Sequence, residues 1–342
     1  AAASLAARGF ALWAAAKAAG LRPGEPEYRD LLGLATRAQA PARFAEIMED
    51  FMEDVLCPQD AETWACLKKW FESPAAGAGW EVREGAAVDA ADGRCAGCRH
   101  RLRSVAMSAE DRARVLAQSA ELAVRGQHRS GDGHFEAFAR DLARRVDEAG
   151  EKIDAVIDGA NVGYFCSTTN AHNTTANLIH IDEAMRALAE QEGRPNALVV
   201  LHQRHLAELE PDCQAVADRW RAEGRLVEVP KGGPNDDWYW LWATLKCGGD
   251  TLMITNDLMR DHHFAMLSHR SFLRWRERHK TSFKFGHGEP YKRSVTLMKP
   301  PVYSQRMQKG DQDNEGSSCW HIPDAEVLNW LCIHKKEGCC SS

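Results

Sequence analysis

The chain has 342 residues, 44% of them hydrophobic, enough to bury the cores of two or three domains. No run approaches the roughly eighteen apolar residues of a membrane-spanning helix, so no membrane partner is expected. The net charge of −6 argues against a surface given over to nucleic acid, and 11 unevenly spaced cysteines without a secretory signal point to a reducing, intracellular setting.

The opening stretch, AAASLAARGFALWAAAKAAGLR, is Ala-rich, Arg-bearing and free of acids. The tail of an organelle transit segment has that composition, but an Ala-rich helix is the simpler reading. The chain does not start with Met, so its true beginning is expected to be missing. About the first seventy residues read as helices. Two segments match at a 35-residue offset, AGLRPGEPEYRDLL on DVLCPQDAETWACL, with Pro23 on Pro58, Glu27 on Glu62 and Leu32 on Leu67. That period, with a helix–turn–helix pattern, marks a helical solenoid.

Residues 73–97 shift to Gly, Ala and small acids, a boundary with short strands such as Trp80-Glu81-Val82. Cys95-Ala-Gly-Cys98 follows in a Gly-rich turn, half of a zinc-ribbon pattern. A redox pair is the alternative, weakened because the motif does not sit at a strand–helix junction. Ser108-x-x-Asp111 opens a helix running to about Val124. RGQHRSGDGH is a loop. Phe135, Phe138, Leu142 and Val146 then recur at helical spacing.

Beyond them strands and helices alternate. DAVID, NALVVLH, RLVEVP and TLMITND read as short apolar strands, separated by helices over Ile181 to Gln191, Ala207 to Glu223 and Asp236 to Lys246. Such alternation predicts a parallel α/β sheet, whose ligands sit beyond the carboxyl ends of the strands. The acids are there. Asp158 and Asp257 end strands. Asp236 and Asp237 open a helix behind Asn235, the expected N-cap, while Trp238, Leu241, Trp242 and Leu245 form its buried stripe. Asp261 lies four residues after Asp257, on the same face if a helix begins there. Four or five carboxylates at one edge would raise each other's pKa unless a cation joined them. Hard oxygen donors suit Mg²⁺ or Mn²⁺, and two ions about 4 Å apart would serve phosphoryl chemistry. Each Asp could instead simply cap a helix, but four together favour the metal.

Four stretches, DAVIDGANVGYF, PNDDWYWLWATLKC, ITNDLMRDHHF and WHIPDAEVLNWLC, together resemble the protein-only ribonuclease P family. The resemblance covers nearly the whole chain. It implies a multidomain fold: an α-helical solenoid of pentatricopeptide (PPR) type over 1–73, a small zinc-binding central domain over 74–131 plus 316–338, and an α/β NYN/PIN-like metallonuclease domain with a parallel sheet over 132–315. It also implies an endoribonuclease that uses Mg²⁺ (or Mn²⁺) to remove the 5′ leader of precursor tRNA. The products would be a 5′-phosphate on the tRNA and a 3′-hydroxyl on the leader. By motif position the family's metal-binding acids fall on Asp158, Asp236, Asp237 and Asp257, and Asp261 and His262 match its RDH. The structural Zn²⁺ ligands fall on Cys95, Cys98, His321 and Cys332, a Cys₃His site. Cys319, His334, Cys339, Cys340 and His100 lie close enough in sequence to compete.

The family's repeats hold the tRNA elbow. Here about two repeats are visible, and Pro41 to Glu62 carries seven acids against Arg43 alone. Either further repeats precede Ala1, or the chain leans on a basic run from Arg260 to Arg293, with nine Lys/Arg against three acids. In that run Arg260, His262, Arg274, Arg276 and Arg278 are candidate RNA contacts, beside Arg270, Lys280 and Lys284. Phe272, Trp275, Phe283 and Phe285 are interleaved; core packing is the better reading for them than base stacking. A monomer with no protein partner or RNA subunit is expected, in the mitochondrion, plastid or nucleus of a eukaryote. The rivals are a NYN-type nuclease acting on other RNA, such as mRNA, and a catalytically silent RNA-binding subunit.

Overall fold

The computed structural model describes residues 2–21, 23–55, 57–104, 107–125, 133–165, 176–233, 235–259, 269–289, 292–310 and 319–335. The chain forms two compact units, Ala1–Val105 with Pro301–Ser342, and Ala106–Pro300.

The first unit opens with four helices: α1 (Ala2–Ala18), α2 (Glu25–Arg37), α3 (Pro41–Asp54) and α4 (Ala61–Phe71). On α3, Phe44, Ile47, Met48 and Phe51 are buried at the i, i+3, i+4, i+7 spacing of one helical face. The two sequence-matched segments also touch. The Glu25 carboxylate of the first accepts Gln59 N–H (2.7 Å), Asp60 N–H (3.1 Å) and the Thr63 hydroxyl (2.6 Å), satisfying donors at the start of α4. An antiparallel sheet follows in the order β1 (Trp80–Ala86), β10 (Trp330–Lys335), β9 (Cys319–Pro323), β8 (Gln308–Gly310). Its Trp320, Ile322, Leu331 and Ile333 share one core with Tyr28, Leu32, Phe51, Leu67 and Trp70 of the helices.

The second unit is built on a six-stranded sheet. The strands are β2 (Ala155–Asp158), β3 (Ala197–His202), β4 (Leu226–Val229), β5 (Leu252–Ile254), β6 (Lys280–Phe285) and β7 (Val295–Met298), in the order β4-β3-β2-β5-β6-β7. The sheet is mixed, which corrects the expectation of a parallel one. β4 to β6 run parallel, but β7 returns antiparallel on β6 because a short hairpin, and no crossover, joins them. Its central strands are apolar throughout because both faces are covered. On β2, Val156 joins one core cluster, while Ala155 and Ile157 join the other.

The helices of this unit are α5 (Ala109–Arg125), α6 (His134–Ala143), α7 (Gly159–Gly163), α8 (Leu178–Glu192), α9 (Pro211–Ala222), α10 (Asp236–Cys247) and α11 (His269–His279). Pro211 fixes where α9 starts, a few residues later than the sequence pattern suggests. α10 differs from its expected single stripe. Tyr239 and Trp240 are as buried as Trp238, Leu241, Trp242 and Leu245. The outer face of α10 is covered by α5 and α6, through Val115, Ala123, Phe135 and Leu142. α5, which the sequence reading sets in the central piece, therefore packs within this unit.

Candidate functional site

Asp158 ends β2, Asp257 lies in the turn three residues beyond β5, which stops at Ile254 short of the expected strand end, and the first turn of α10 carries Asp236 and Asp237. Asp158 leaves β2 through Gly159. A Cβ on that glycine would lie 2.6 Å from Val200 O, so the chain approaches β3 too closely for any side chain. Asp158 Oδ1 accepts Asn161 N–H at 3.1 Å and Oδ2 accepts the Thr255 hydroxyl at 2.9 Å. Thr255 Oγ1 in turn accepts Asp257 N–H at 3.0 Å. One buried hydroxyl thus bridges the side chain of Asp158 to the backbone of Asp257.

Asp158 is 5% exposed. Burial pushes its carboxyl up to about 8, with the charges of Asp237 and Asp236 adding to the effect, while the Asn161 and Thr255 bonds oppose it. Asp236 is buried and Asp237 half-buried. Asn235 precedes α10 as expected, but its side chain does not cap the helix. Its Nδ2 donates to Asp237 Oδ2 at 2.7 Å, which orients that carboxylate. The helix dipole favours anions there without neutralising them. A buried carboxyl facing two further acids is the situation a divalent cation relieves, and the donors are hard oxygens that fit Mg²⁺ or Mn²⁺. Asp257 is half-buried and spends Oδ1 on Met259 N–H (2.6 Å). Arg260, Asp261 and His262 lie outside the described residues.

The aspartates are a looser group than the cysteines and histidine of the first unit. Among the described residues, Cys95, Cys98, His321 and Cys332 are the set whose ligand atoms all lie within 4.8 Å of one another. The turn of Cys95–Cys98 is closed by Cys95 N–H to His100 O and Arg99 N–H to Cys95 O, with Arg99 at φ +63°. His321 on β9 and Cys332 on β10 are paired neighbours in the sheet. Cys98 Sγ and His321 Nε2 are 3.2 Å apart. Contacts with Cys319, then Cys332 and Cys95, hold the Cys98 thiol far below the usual range. Three sulfurs and one imidazole fit tetrahedral Zn²⁺, whose ligands stand about 3.8 Å apart. A Cβ on Gly97 would lie 3.1 Å from Cys332 Sγ, a tight contact against one of the four. Cys319 borders the set without joining it, and Cys339 and Cys340 lie outside the described residues.

The basic residues divide. Arg276 is half-buried and donates to Leu258 O at 3.0 Å, and burial lowers its pKa. Arg278 pairs with Asp250 at 2.9 Å. Arg274 is half-buried on the same helix. Phe272, Trp275 and Phe283 are buried, and Phe285 packs on Phe165 and Phe283, so the rings are core. Sequence reasoning missed Thr255 and Asn161 as partners of Asp158. It also missed the β6–β7 hairpin, although KTSFKF and SVTLM both alternate in the strand manner.

A family model described as protein-only RNase P matches residues 90–332, and one described as the pentacotripeptide-repeat region of that family matches residues 3–78. The chain is 27% identical to proteinaceous RNase P 2 of Arabidopsis thaliana over 268 residues, 75% of this chain and 47% of that protein. It is 27% identical to the mitochondrial ribonuclease P catalytic subunit of Rattus norvegicus over 294 residues, 79% and 44% of the two chains. The chain thus spans about half the length of these curated relatives. The crystal structure of nuclear proteinaceous RNase P 2 from A. thaliana superposes with a TM-score of 0.74 at 26% identity, covering 97% of this chain and 72% of that one.

Proposed function

The chain belongs to the protein-only RNase P family, and from that premise we propose that it is a metal-dependent endoribonuclease that removes the 5′ leader of precursor tRNA. One observation carries the reading: Asp158 is a buried carboxyl facing the charges of Asp237 and Asp236 beyond the strand ends of the sheet. Asp158, Asp236, Asp237 and Asp257 would hold Mg²⁺ or Mn²⁺, two ions in our reading. Magnesium, when bound, supplies Lewis acidity and lowers the pKa of a coordinated water. The side chains do the rest. Thr255 holds one oxygen of Asp158, and Asn235 holds one oxygen of Asp237. Burial of α10 on all its faces keeps its first turn from shifting. In-line attack by water leaves a 5′-phosphate on the tRNA and a 3′-hydroxyl on the leader.

In the first unit, Cys95, Cys98, His321 and Cys332 would hold one structural Zn²⁺. All four positions are protein ligands, which leaves no open position for chemistry. The repeat helices α1 to α4 would bind the body of the tRNA. The basic run would add phosphate contacts, with Arg276 the least available for them because its guanidinium is used on Leu258 O. We propose a single chain acting without an RNA subunit, in the nucleus, plastid or mitochondrion.

The test is incubation of the zinc-loaded chain with a precursor tRNA and Mg²⁺. A single cut at the leader junction, with a 5′-phosphate on the tRNA, is the expected outcome. Scattered cuts, or preference for unstructured RNA, would point to a nuclease of other RNA. Binding without any cut would point to a silent subunit.

A further inference from the structure

Beyond Ile254 the main chain leaves the sheet. The β5–β6 ladder ends with Met253 opposite Lys280 and Ile254 opposite Thr281, and Thr255 N–H makes a last backbone bond to Thr281 O at 3.1 Å. A side chain takes the next place in the ladder. Asn256 Nδ2 donates to Phe283 O at 3.0 Å, and Asn256 Oδ1 accepts Phe283 N–H at 3.0 Å. A carboxamide has the donor and acceptor of a peptide group, so it can satisfy β6 as a strand residue would. The backbone is thereby released to turn where Asp257 needs it.

The same residue ties this turn to β2. Asn256 N–H donates to Asn161 Oδ1 at 2.8 Å. Asn161 N–H is the donor that Asp158 Oδ1 accepts. Thr255 closes the circuit through its hydroxyl on Asp158 Oδ2 and Asp257 N–H. Downstream, Arg276 holds Leu258 O, and Met259 is buried in the core at φ +50°. Every residue from Thr255 to Met259 is therefore fixed by a named bond or by burial.

We propose that Asn256 and Asn161 are positioning residues that set the span between Asp158 and Asp257, and so the affinity of this edge for divalent ions. The inference rests on the reading of the aspartates as a metal site. Neither asparagine needs to touch the ion or the RNA. Partners that orient metal ligands contribute about 10- to 100-fold to metal affinity.

The test uses the zinc-loaded chain with Asn256→Ala, and with Asn256→Asp, which keeps the size and one acceptor but loses the donor to Phe283 O. Three quantities are read: Mn²⁺ binding by electron paramagnetic resonance without RNA, the Mg²⁺ dependence of single-turnover cleavage, and the melting temperature. Mn²⁺ affinity should fall about tenfold, and the Mg²⁺ needed for half-maximal rate should rise about tenfold. The rate at saturating Mg²⁺ should stay within about threefold of wild type. Unchanged Mn²⁺ affinity in a folded variant overturns the proposal, whatever happens to the melting temperature. If the Asn256 variants do not fold, Asn161→Ala removes the link to β2 while leaving the β6 bonds intact, and the same readouts decide. Failure of the underlying reading looks different. Wild-type protein that binds no Mn²⁺, or Asp237→Ala binding it as wild type does, sinks the metal edge and this inference together. Mn²⁺ binding lost in Asp237→Ala but unchanged in the asparagine variants sinks the inference alone.

Discussion

The cysteine–histidine set of the first unit and the aspartate edge of the second are built in opposite ways. The first is closed. Its four ligand atoms lie within 4.8 Å of one another, on two paired strands and a tight turn. The second is open. Its acids come from the end of β2, the turn after β5 and a helix start; Thr255 and Asn161 hold Asp158, and Asn235 holds Asp237. Soft donors packed together make a site that needs only the metal to be complete. Hard oxygen donors suit an ion that keeps some of its waters, which a hydrolytic site requires. The closed site should therefore govern stability, and the open one rate.

The largest expected effect is on the closed site. Cys332→Ala, or chelation of zinc, should destabilise the first unit by an amount on the order of 10 kcal/mol, as in small metal-dependent folds. Limited proteolysis of residues 1–105 and 301–342 should then become rapid, and an unchanged digestion pattern would erase the contrast. Next is Asp237→Ala. Removing one acid from the open site should cost several kcal/mol of rate, about a thousandfold, with tRNA affinity within a few-fold and the melting temperature no lower.

Without metal, stability should depend on pH through Asp158. Asp158 rises from 3.8 to about 8 on folding, so the folded chain keeps a proton that the unfolded chain releases between those values. Its contribution to stability is full below about 4 and is lost as pH rises through about 8. Asp158→Asn should flatten that slope in denaturant titrations, and excess Mg²⁺ should remove it; an identical slope in the variant would show that the burial of Asp158 is not what the acids cost. The smallest effect separates fold from binding within the basic run. Arg276→Ala should lower stability by about 2 kcal/mol, through loss of a charged hydrogen bond to Leu258 O, and leave the salt dependence of tRNA binding unchanged. A shallower salt slope would return Arg276 to the RNA surface.

The same contrast explains what the sequence made readable. The placement of Asp158 and Asp257 near one sheet edge was legible because strands buried on both faces are apolar runs, and DAVID and TLMITND each end in an acid. Composition also announced α10, although its burial on all sides depends on α5 and α6, which no periodicity within the helix encodes. The closed site was half legible. Cys95 and Cys98 have ligand spacing, but His321 is 223 residues from Cys98 and only family resemblance suggested it. The β6–β7 hairpin stayed hidden because its charges read as a binding run, and a side chain on a half-covered edge can be both basic and strand-forming. Thr255, Asn161 and Asn256 carry no periodic signal at all. Their role comes from where three chain segments meet.

The most direct measurement is a crystal of the zinc-loaded chain grown with Mn²⁺ and recorded at the manganese edge. Anomalous density bounded by Asp158, Asp237 and Asp257 is the expected result. Manganese found only elsewhere, with those carboxylates in contact with protein groups alone, would contradict it.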